Sequence, residues 1–416
     1  MGEPHRIRKE FSKKDKENRT ILLCEMLEYH NVFLEAAFRA DGYSFEVLKN
    51  RIQDITGALK LISNDYCYPS VLIIAQFLEY MENRQKSPHQ VAFMEPQAGG
   101  ACRAGNIYNL LQRVLYKKSE QENPDYADIP VISLSFIGEE KHSGFHISIR
   151  LLRGAIAAVC YGDLIMCLYQ QVKPFEVING ETDRVREKVE KKLCESILKH
   201  HNGKSRRQEN YLYAIRAFQN IKVNRNSEKK RVGITGEIYM KYSKLGNDDI
   251  ESFVIKNGGA PYSGGFINYC MFLVDSEAFK AGAYDRNSVM EKGCKAVLRY
   301  MSGLQKHLYD CVTGHSDFYT DMPFHQLKQK MNGIIDVGCN TGDGWLIAAE
   351  VVQYVERGCK SVLILHPFGC LVSHVCERGI IKKLHERYPD CNIQTIEFDY
   401  DQSKTLRESR ILMALC

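Results

Sequence analysis

Fifteen cysteines occur without a single Cys-x-x-Cys pair, and that absence excludes zinc ribbons and ferredoxin-type ligand runs. Long apolar runs are missing as well. No stretch of eighteen apolar residues reads as a membrane span, and the N-terminus leads into no apolar core with a cleavage site. The expected location is the cytoplasm, where structural disulfides do not persist. Charge of one sign is scarce, since 56 Lys and Arg against 51 Asp and Glu leave a net +5. Much of that excess lies ahead of residue 20, in Arg6, Arg8, Lys9, Lys13, Lys14, Lys16 and Arg19, which read as a solvated, flexible arm. Tyr and Phe are plentiful but not interleaved with a basic patch, so neither nucleic acid nor membrane is an expected partner. No repeat of solenoid period is present.

What is there suits two globular domains: 416 residues, 44% apolar and 26% charged. Short apolar runs alternate with helical spacing. Thr20 to Ala40 reads as helix or mixed helix and strand, Ser44 to Leu48 as a strand and Ser70 to Met81 as a helix. Val91–Met94 and Val131–Ser135 read as strands on either side of a helix from Arg103 to Leu115. This alternation predicts an α/β layer with crossover connections. Residues 146–218 read as mostly helical, and a polar run then gives way to a fresh strand and glycine turn over Arg231–Tyr239. The predicted division is an arm over 1–19, a first α/β domain over 20–228 and a second over 229–416. In the second, Gly258–Pro261 reads as a turn, Ile334–Val337 as strand-like, Trp345–Arg357 as a helix and Ser361–Leu365 as a buried strand.

Three cysteines share one context. Cys67, Cys102 and Cys370 each stand in a Pro- or Gly-bearing loop beside a predicted helix, and the last two follow strands. A helix N-terminus offers unpaired N–H groups and a positive dipole end, which favours thiolate, and thiolates bind soft metal centres. Three such ligands would leave one iron of a cluster open. The competing reading is three buried small hydrophobes, the role that Cys160, Cys167 and Cys270 fit in their apolar surroundings. Gln97 and Asn106 flank Cys102 as hydrogen-bond donors or helix caps. Glu237, after Gly236 at a strand exit, reads as a general acid or base or as a cap; Lys241, Tyr242 and Ser243 support its loop. His366 reads as a proton donor or as a packed strand-end histidine.

The blocks Asn64–Pro69, Gln97–Asn106, Gly233–Tyr239, Gly342–Trp345 and Pro367–Cys370 resemble, in order, those of the 2-hydroxyacyl-CoA dehydratase superfamily. The similarity is greatest to the C-terminal region of the large activase-related proteins and to double-cubane-cluster proteins. The resemblance implies two stacked Rossmann-like α/β domains with helical insertions and an iron–sulfur cluster in the inter-domain cleft. It implies Cys67, Cys102 and Cys370 as metal ligands, with Gln97, Gly99, Gly100, Asn106 and Gly369 lining the cofactor. The cluster would be a [4Fe-4S] centre, or an [8Fe-9S] centre shared across a dimer. The implied function is ATP-driven low-potential reduction, as a dehydratase (a lyase) or as an oxidoreductase. Its implied partners are a separate ATP-hydrolysing iron–sulfur activator, a second subunit in a homodimer or heterodimer, and a small-molecule or acyl-CoA substrate. The chain lacks the ATPase segments of the large activase-related proteins, and it carries Ala98 and Ala101 where the related loop is richer in Thr and Gly.

Two other functions fit parts of the sequence. One is a non-catalytic electron-transfer or cluster-carrying subunit. The other is a methyltransferase that uses S-adenosylmethionine, because Ile335–Gly342 resembles the strand and glycine turn of such enzymes. Against that, the next strand ends in Leu365-His366, where an acid would be needed to hold ribose hydroxyls. Cys339 in the same loop reads as a candidate extra thiol ligand.

Overall fold

Short runs rich in Val, Ile and Leu, each followed by a helix, fold into two four-stranded parallel sheets. In a computed structural model of the chain, residues 9–63, 65–83, 86–96, 102–134, 143–224, 226–401 and 403–415 are described. The first sheet holds β1 (Thr20–Leu23), β2 (Ser44–Val47), β3 (Val91–Pro96) and β4 (Val131–Leu134) in the order β2-β1-β3-β4. The second holds β5 (Lys230–Gly236), β6 (Gly259–Tyr262), β7 (Ser361–Pro367) and β8 (Asn392–Phe398) in the order β6-β5-β7-β8. The two orders are the same. Each sheet reverses direction beside its first strand, between β1 and β3 and between β5 and β7, and such switch points are where open α/β sheets receive ligands. β7 is buried along its whole length, which fits an unbroken apolar run covered on both faces.

The two halves are tied together by buried polar contacts. The helix Ile149–Val172 runs through the helical layer, and its Asp163 bonds three partners at once. Both carboxyl oxygens accept from the start of the helix Phe266–Ala283, from the Phe266 N–H at 2.7 Å and the Ile267 N–H at 2.9 Å. The His30 ring lies 2.9 Å from the same carboxyl. By length and composition the stretch Ile149–Phe175 is apolar enough to cross a membrane, with a mean hydropathy of 1.7, yet 67% of its most apolar window is packed inside the protein. The charges of Arg150, Arg153 and Asp163 are why no run of eighteen apolar residues marks it in the sequence.

Part of the basic N-terminal stretch is docked. Phe11 is fully buried, and Arg19 bonds Asp15 at 2.6 Å and the carbonyls of Pro88 and Val91 at 2.9 Å each. Two local readings of the sequence are corrected. Residues 259–261, read as part of a turn, belong to β6, which among the described residues is an edge strand paired with β5; an edge tolerates Pro261 because one side of the strand needs no ladder donor. Residues 334–337, read as strand-like, form no strand. Gly333 adopts a left-handed φ of 77°, and the Asp336 carboxyl turns back to accept from the Gly338 N–H at 2.7 Å, so the chain bends instead of extending.

Candidate active site

The exits of β5 and β7 touch. Gly236 has φ 138°, and a Cβ there would lie 1.9 Å from the Leu365 carbonyl oxygen, so only glycine fits beside the neighbouring strand. The Glu237 N–H donates to that carbonyl at 2.9 Å, and its carboxyl accepts from the Met240 N–H at 3.0 Å, capping the short helix Ile238–Tyr242. One turn on, Lys241 and Glu350 form an ion pair of 2.6 Å, and the Thr235 hydroxyl donates to the other Glu350 oxygen at 2.5 Å. The exit of β1 meets the same corner, where the Ser243 hydroxyl donates to Glu25 at 2.7 Å.

At the β7 exit, Phe368 is pinned by its N–H to the Phe398 carbonyl at 2.7 Å, and its own carbonyl accepts from the Tyr68 N–H at 3.0 Å. The next residue, Gly369, has φ 73°, and a Cβ on it would stand 3.2 Å from the Cys67 Cα. The turn carrying Cys370 therefore rests on the start of the helix Tyr68–Glu82, where Cys67 is the N-cap. Gly369→Ala is expected to lower stability by about 1 to 2 kcal/mol, from left-handed strain plus crowding against Cys67. A thermal midpoint equal to wild type would show that this contact does not hold the turn.

The third cysteine belongs to the same corner by its electrostatic neighbours. Cys102 is half-buried, and its carbonyl accepts from the Gly105 N–H at 3.1 Å. Tyr269 lies among Asp343, Cys102 and Glu237; burial, then the charges of these three, raises its phenol well above the ordinary range. Asn106 is the N-cap of the helix Ile107–Gln121 without a side-chain capping bond, and its oxygen accepts from Asn109 at 3.3 Å. Gln97, Gly99 and Gly100 lie outside the described residues.

The chemistry of the thiols differs from the expectation. The Cys67 sulfur lies 3.0 Å from the Ser70 hydroxyl, and the Cys370 sulfur accepts from the Ser373 N–H at 3.3 Å. Each is turned into the first turn of its own helix. Burial pushes both thiols up from their ordinary values, so loss of solvent outweighs the helix-end field that was expected to favour thiolate. Among the described residues, no group of three or more His, Cys, Asp or Glu side chains could hold a metal ion. The donor set does not fit an iron–sulfur cluster. That overturns the expected [4Fe-4S] or [8Fe-9S] cofactor and the cluster-bearing cleft. With them go the ATP-driven reductase, the iron–sulfur dehydratase, and the electron-transfer or cluster-carrying subunit. The methyltransferase alternative loses its footing too, because its glycine loop follows no strand.

What does converge is a set of carboxyls. Glu237 and Asp343 both hold their protons above the usual carboxylate range, first because they are buried; for Asp343 the negative charge of Glu237 is the next cause. The Ile238 N–H faces Asp343 and Lys241 partly offsets its rise. Glu25 is pushed up to about 7 by burial against the opposing bond from Ser243. Burial alone pushes Glu95, the penultimate residue of β3, up to about 8. Glu377 is likewise pushed up to about 8, first by burial. Neither of its oxygens has an aligned partner, although the Ser373 hydroxyl is beside it. His366 is fully buried and held neutral, its pKa lowered to about 3 by burial and by Arg378, which bonds its Nε2 at 2.7 Å. That favours the packed strand-end role over proton donation.

Of the readings given to Glu237, the structure shows the cap, that of the helix Ile238–Tyr242; the sequence reading did not single out Asp343. Its signal was the Gly342-Asp343-Gly344 turn ahead of a helix, where Asp usually serves as an exposed cap, and nothing in that pattern announces burial. A surface depression of about 870 Å³ is lined by His325, Lys328, Asn332, Asp336 and Lys383 among others, and by none of these raised carboxyls. Its Lys328 is spent on Asp275 at 2.7 Å. Glu25, Glu95 and Glu237 stand instead at or just past the ends of β1, β3 and β5. No model of a known protein family matches the chain, and no curated protein shows significant similarity to it.

Proposed function

We propose that the chain is an acid–base enzyme that moves a proton on a small molecule held at the facing strand exits, with Glu237 and Asp343 as the proton-sharing pair. The observation that supports this reading is the rise of both carboxyls through burial beside the β5–β7 switch point, with the charge of Glu237 adding to the rise of Asp343. Two neighbouring carboxyls resist double ionisation, so one keeps its proton while the other is a base, and such a pair can accept and return protons near neutral pH. Glu237 is half-buried and Gly342, Gly369 and Cys102 around it are partly open, which gives a small molecule a way in. Cys67 and Cys370, kept as thiols, add polarizable walls and weak donors.

We also propose kinship with the 2-hydroxyacyl-CoA dehydratase superfamily at the level of the fold. The described residues of the sequence blocks that suggest it fall on strand exits and helix starts of this corner, and it makes acyl-CoA thioesters the first substrate class to try. On a thioester the base form of the pair would take the proton next to the carbonyl and return it; only that C–H bond breaks and re-forms. The test is exchange of these protons with deuterated water, followed by proton NMR across a panel of acyl- and 2-hydroxyacyl-CoA compounds. Exchange above the solvent background is expected, falling about 100-fold or more in Glu237→Gln and in Asp343→Asn. No exchange with any compound, or variants as fast as wild type, would sink the proposal.

A further inference from the structure

The helix Ser288–His315 projects from the protein before it packs into it. Its buried residues are Leu304, Gln305, Leu308, Cys311 and Val312, all in its second half. The first part, residues 288–303, extends for roughly 24 Å at the helical rise and leans on the helix Phe266–Ala283. The turn between the two helices is fixed. The Asn287 N–H donates to the Ala281 carbonyl at 2.8 Å, and the Asn287 side chain caps the new helix by accepting from the Met290 N–H at 3.1 Å. The Tyr284 ring meets Phe279 edge-on with centroids 5.9 Å apart.

One side of this projecting part is apolar and bare. Leu298 and Met301 turn toward the core, whereas Val289, Val297 and Tyr300 are 80%, 47% and 57% exposed, and Tyr284 at the tip is 70% exposed. Val289, Gly293 and Val297 follow at four-residue steps and Tyr300 comes three later, so they form one stripe along the helix. Lys292 and Arg299, seven residues apart, run beside it, and Arg286 stands at the tip; all three are exposed. Glu291 and Asp310 on the same helix pair instead with Lys295 at 2.5 Å and Lys306 at 2.6 Å. The sequence reading expected no membrane partner because basic and aromatic residues are not interleaved along the chain. The helix surface sets them side by side.

We propose that this hairpin is a docking edge for an anionic phospholipid bilayer, with Tyr284, Val289, Val297 and Tyr300 entering the interface and Arg286, Lys292 and Arg299 facing the lipid phosphates. Amphipathic helices lie at the headgroup boundary in this way, and tyrosine is favoured at that depth. Charge complementarity selects the occupant. A second copy would bring the same three cations to the shared edge and be repelled by them. A protein partner would need an acidic groove shaped to a projecting helix, whereas a bilayer surface meets a convex edge without one. One short stripe with three cations gives reversible attachment that salt weakens.

The test is co-sedimentation of the full chain with vesicles of phosphatidylcholine alone and of phosphatidylcholine with about 30% phosphatidylserine. Partition about 10-fold or more stronger onto the anionic vesicles is expected, weakening as added salt shortens the Debye length. The double variants Val297→Asp/Tyr300→Asp and Lys292→Glu/Arg299→Glu should each lose about 10-fold or more of that partition. Leu406→Asp, at an exposed leucine on the helix Lys404–Leu415, should bind as wild type. No excess partition onto anionic vesicles, the result expected if the occupant is an acidic protein, would overturn the proposal, as would stripe variants that bind like wild type. A lipid-free dimer in sedimentation velocity that Val297→Asp/Tyr300→Asp dissociates would overturn it too, assigning the stripe to a second copy. The comparison of the two vesicle types with wild-type protein decides the question even if a variant fails to fold.

Discussion

Lys241→Met is expected to cost about 3 to 5 kcal/mol of stability, because it leaves the Glu350 carboxylate buried without its counter-charge. The side chains of Lys241 and Glu350 are only 3% and 4% exposed, so solvent cannot take over the lost role. Methionine preserves most of the volume, which separates a charge effect from a cavity. Among the described residues, the other hydrogen-bond partner of that carboxylate is the Thr235 hydroxyl. Adding Glu350→Gln should recover most of the loss, since an uncharged amide no longer needs an ammonium. The same substitution acts on the proposed site, because Lys241 holds Asp343 down; its loss raises Asp343 further. Chemical denaturation of both single variants and the double variant measures the cycle. A loss under about 1 kcal/mol in Lys241→Met would show that the pair is not the buried ion pair described here.

Much of this corner was legible in the sequence. Apolar runs followed by glycine located β5 and β7, and Cys67 and Gly369 were picked out because turns of that kind stand at strand exits and helix starts. Their convergence across more than 300 residues of chain follows from two sheets with the same strand order, a fact that short blocks suggest but cannot prove. The sign of the thiol shift was not legible. Helix ends were visible in the sequence, whereas burial, which works the other way and prevails at Cys67 and Cys370, depends on what the fold places over them. Local patterns misled where tertiary context decided. Gly259-Ala260-Pro261 has turn composition, but a vacant edge beside β5 accepts it as a strand. Ile334–Val337 has strand composition, but Asp336 bonds its own backbone first.

The carboxyls share a further consequence. A native site that raises a carboxyl's pKa destabilises its ionised form, so folding should lose free energy as the medium becomes basic. For Glu95 the folded value is about 8 against an ordinary 4.5, and burial is the sole cause. The folded state therefore holds a proton that the unfolded chain has lost throughout that window. The associated stability is fully present below about pH 4.5 and drains away as the pH rises through 8. At 1.36 kcal/mol per unit, local relaxation and water entry leave on the order of 2 to 4 kcal/mol at pH 8.5 from this group. Glu377 and Glu25, raised to about 8 and about 7, act in the same direction.

Glu95→Gln isolates the effect, since the recorded side-chain neighbour of Glu95 is the Cys24 thiol at 4.0 Å and an amide fills nearly the same space. The variant should match wild type within about 1 kcal/mol at pH 5, where the native glutamic acid is neutral, and should exceed it by on the order of 2 to 4 kcal/mol at pH 8.5. Thermal midpoints of both proteins at pH 5, 7 and 8.5 supply the comparison. Equal midpoints at every pH would mean that Glu95 ionises without penalty, and a uniform drop in the variant would mean that its carboxyl makes a bond the amide cannot replace. The intermediate pH matters most. If the variant shows no gain at pH 7, where the unfolded glutamate has lost its proton and the native carboxyl still holds it, the folded value does not lie near 8.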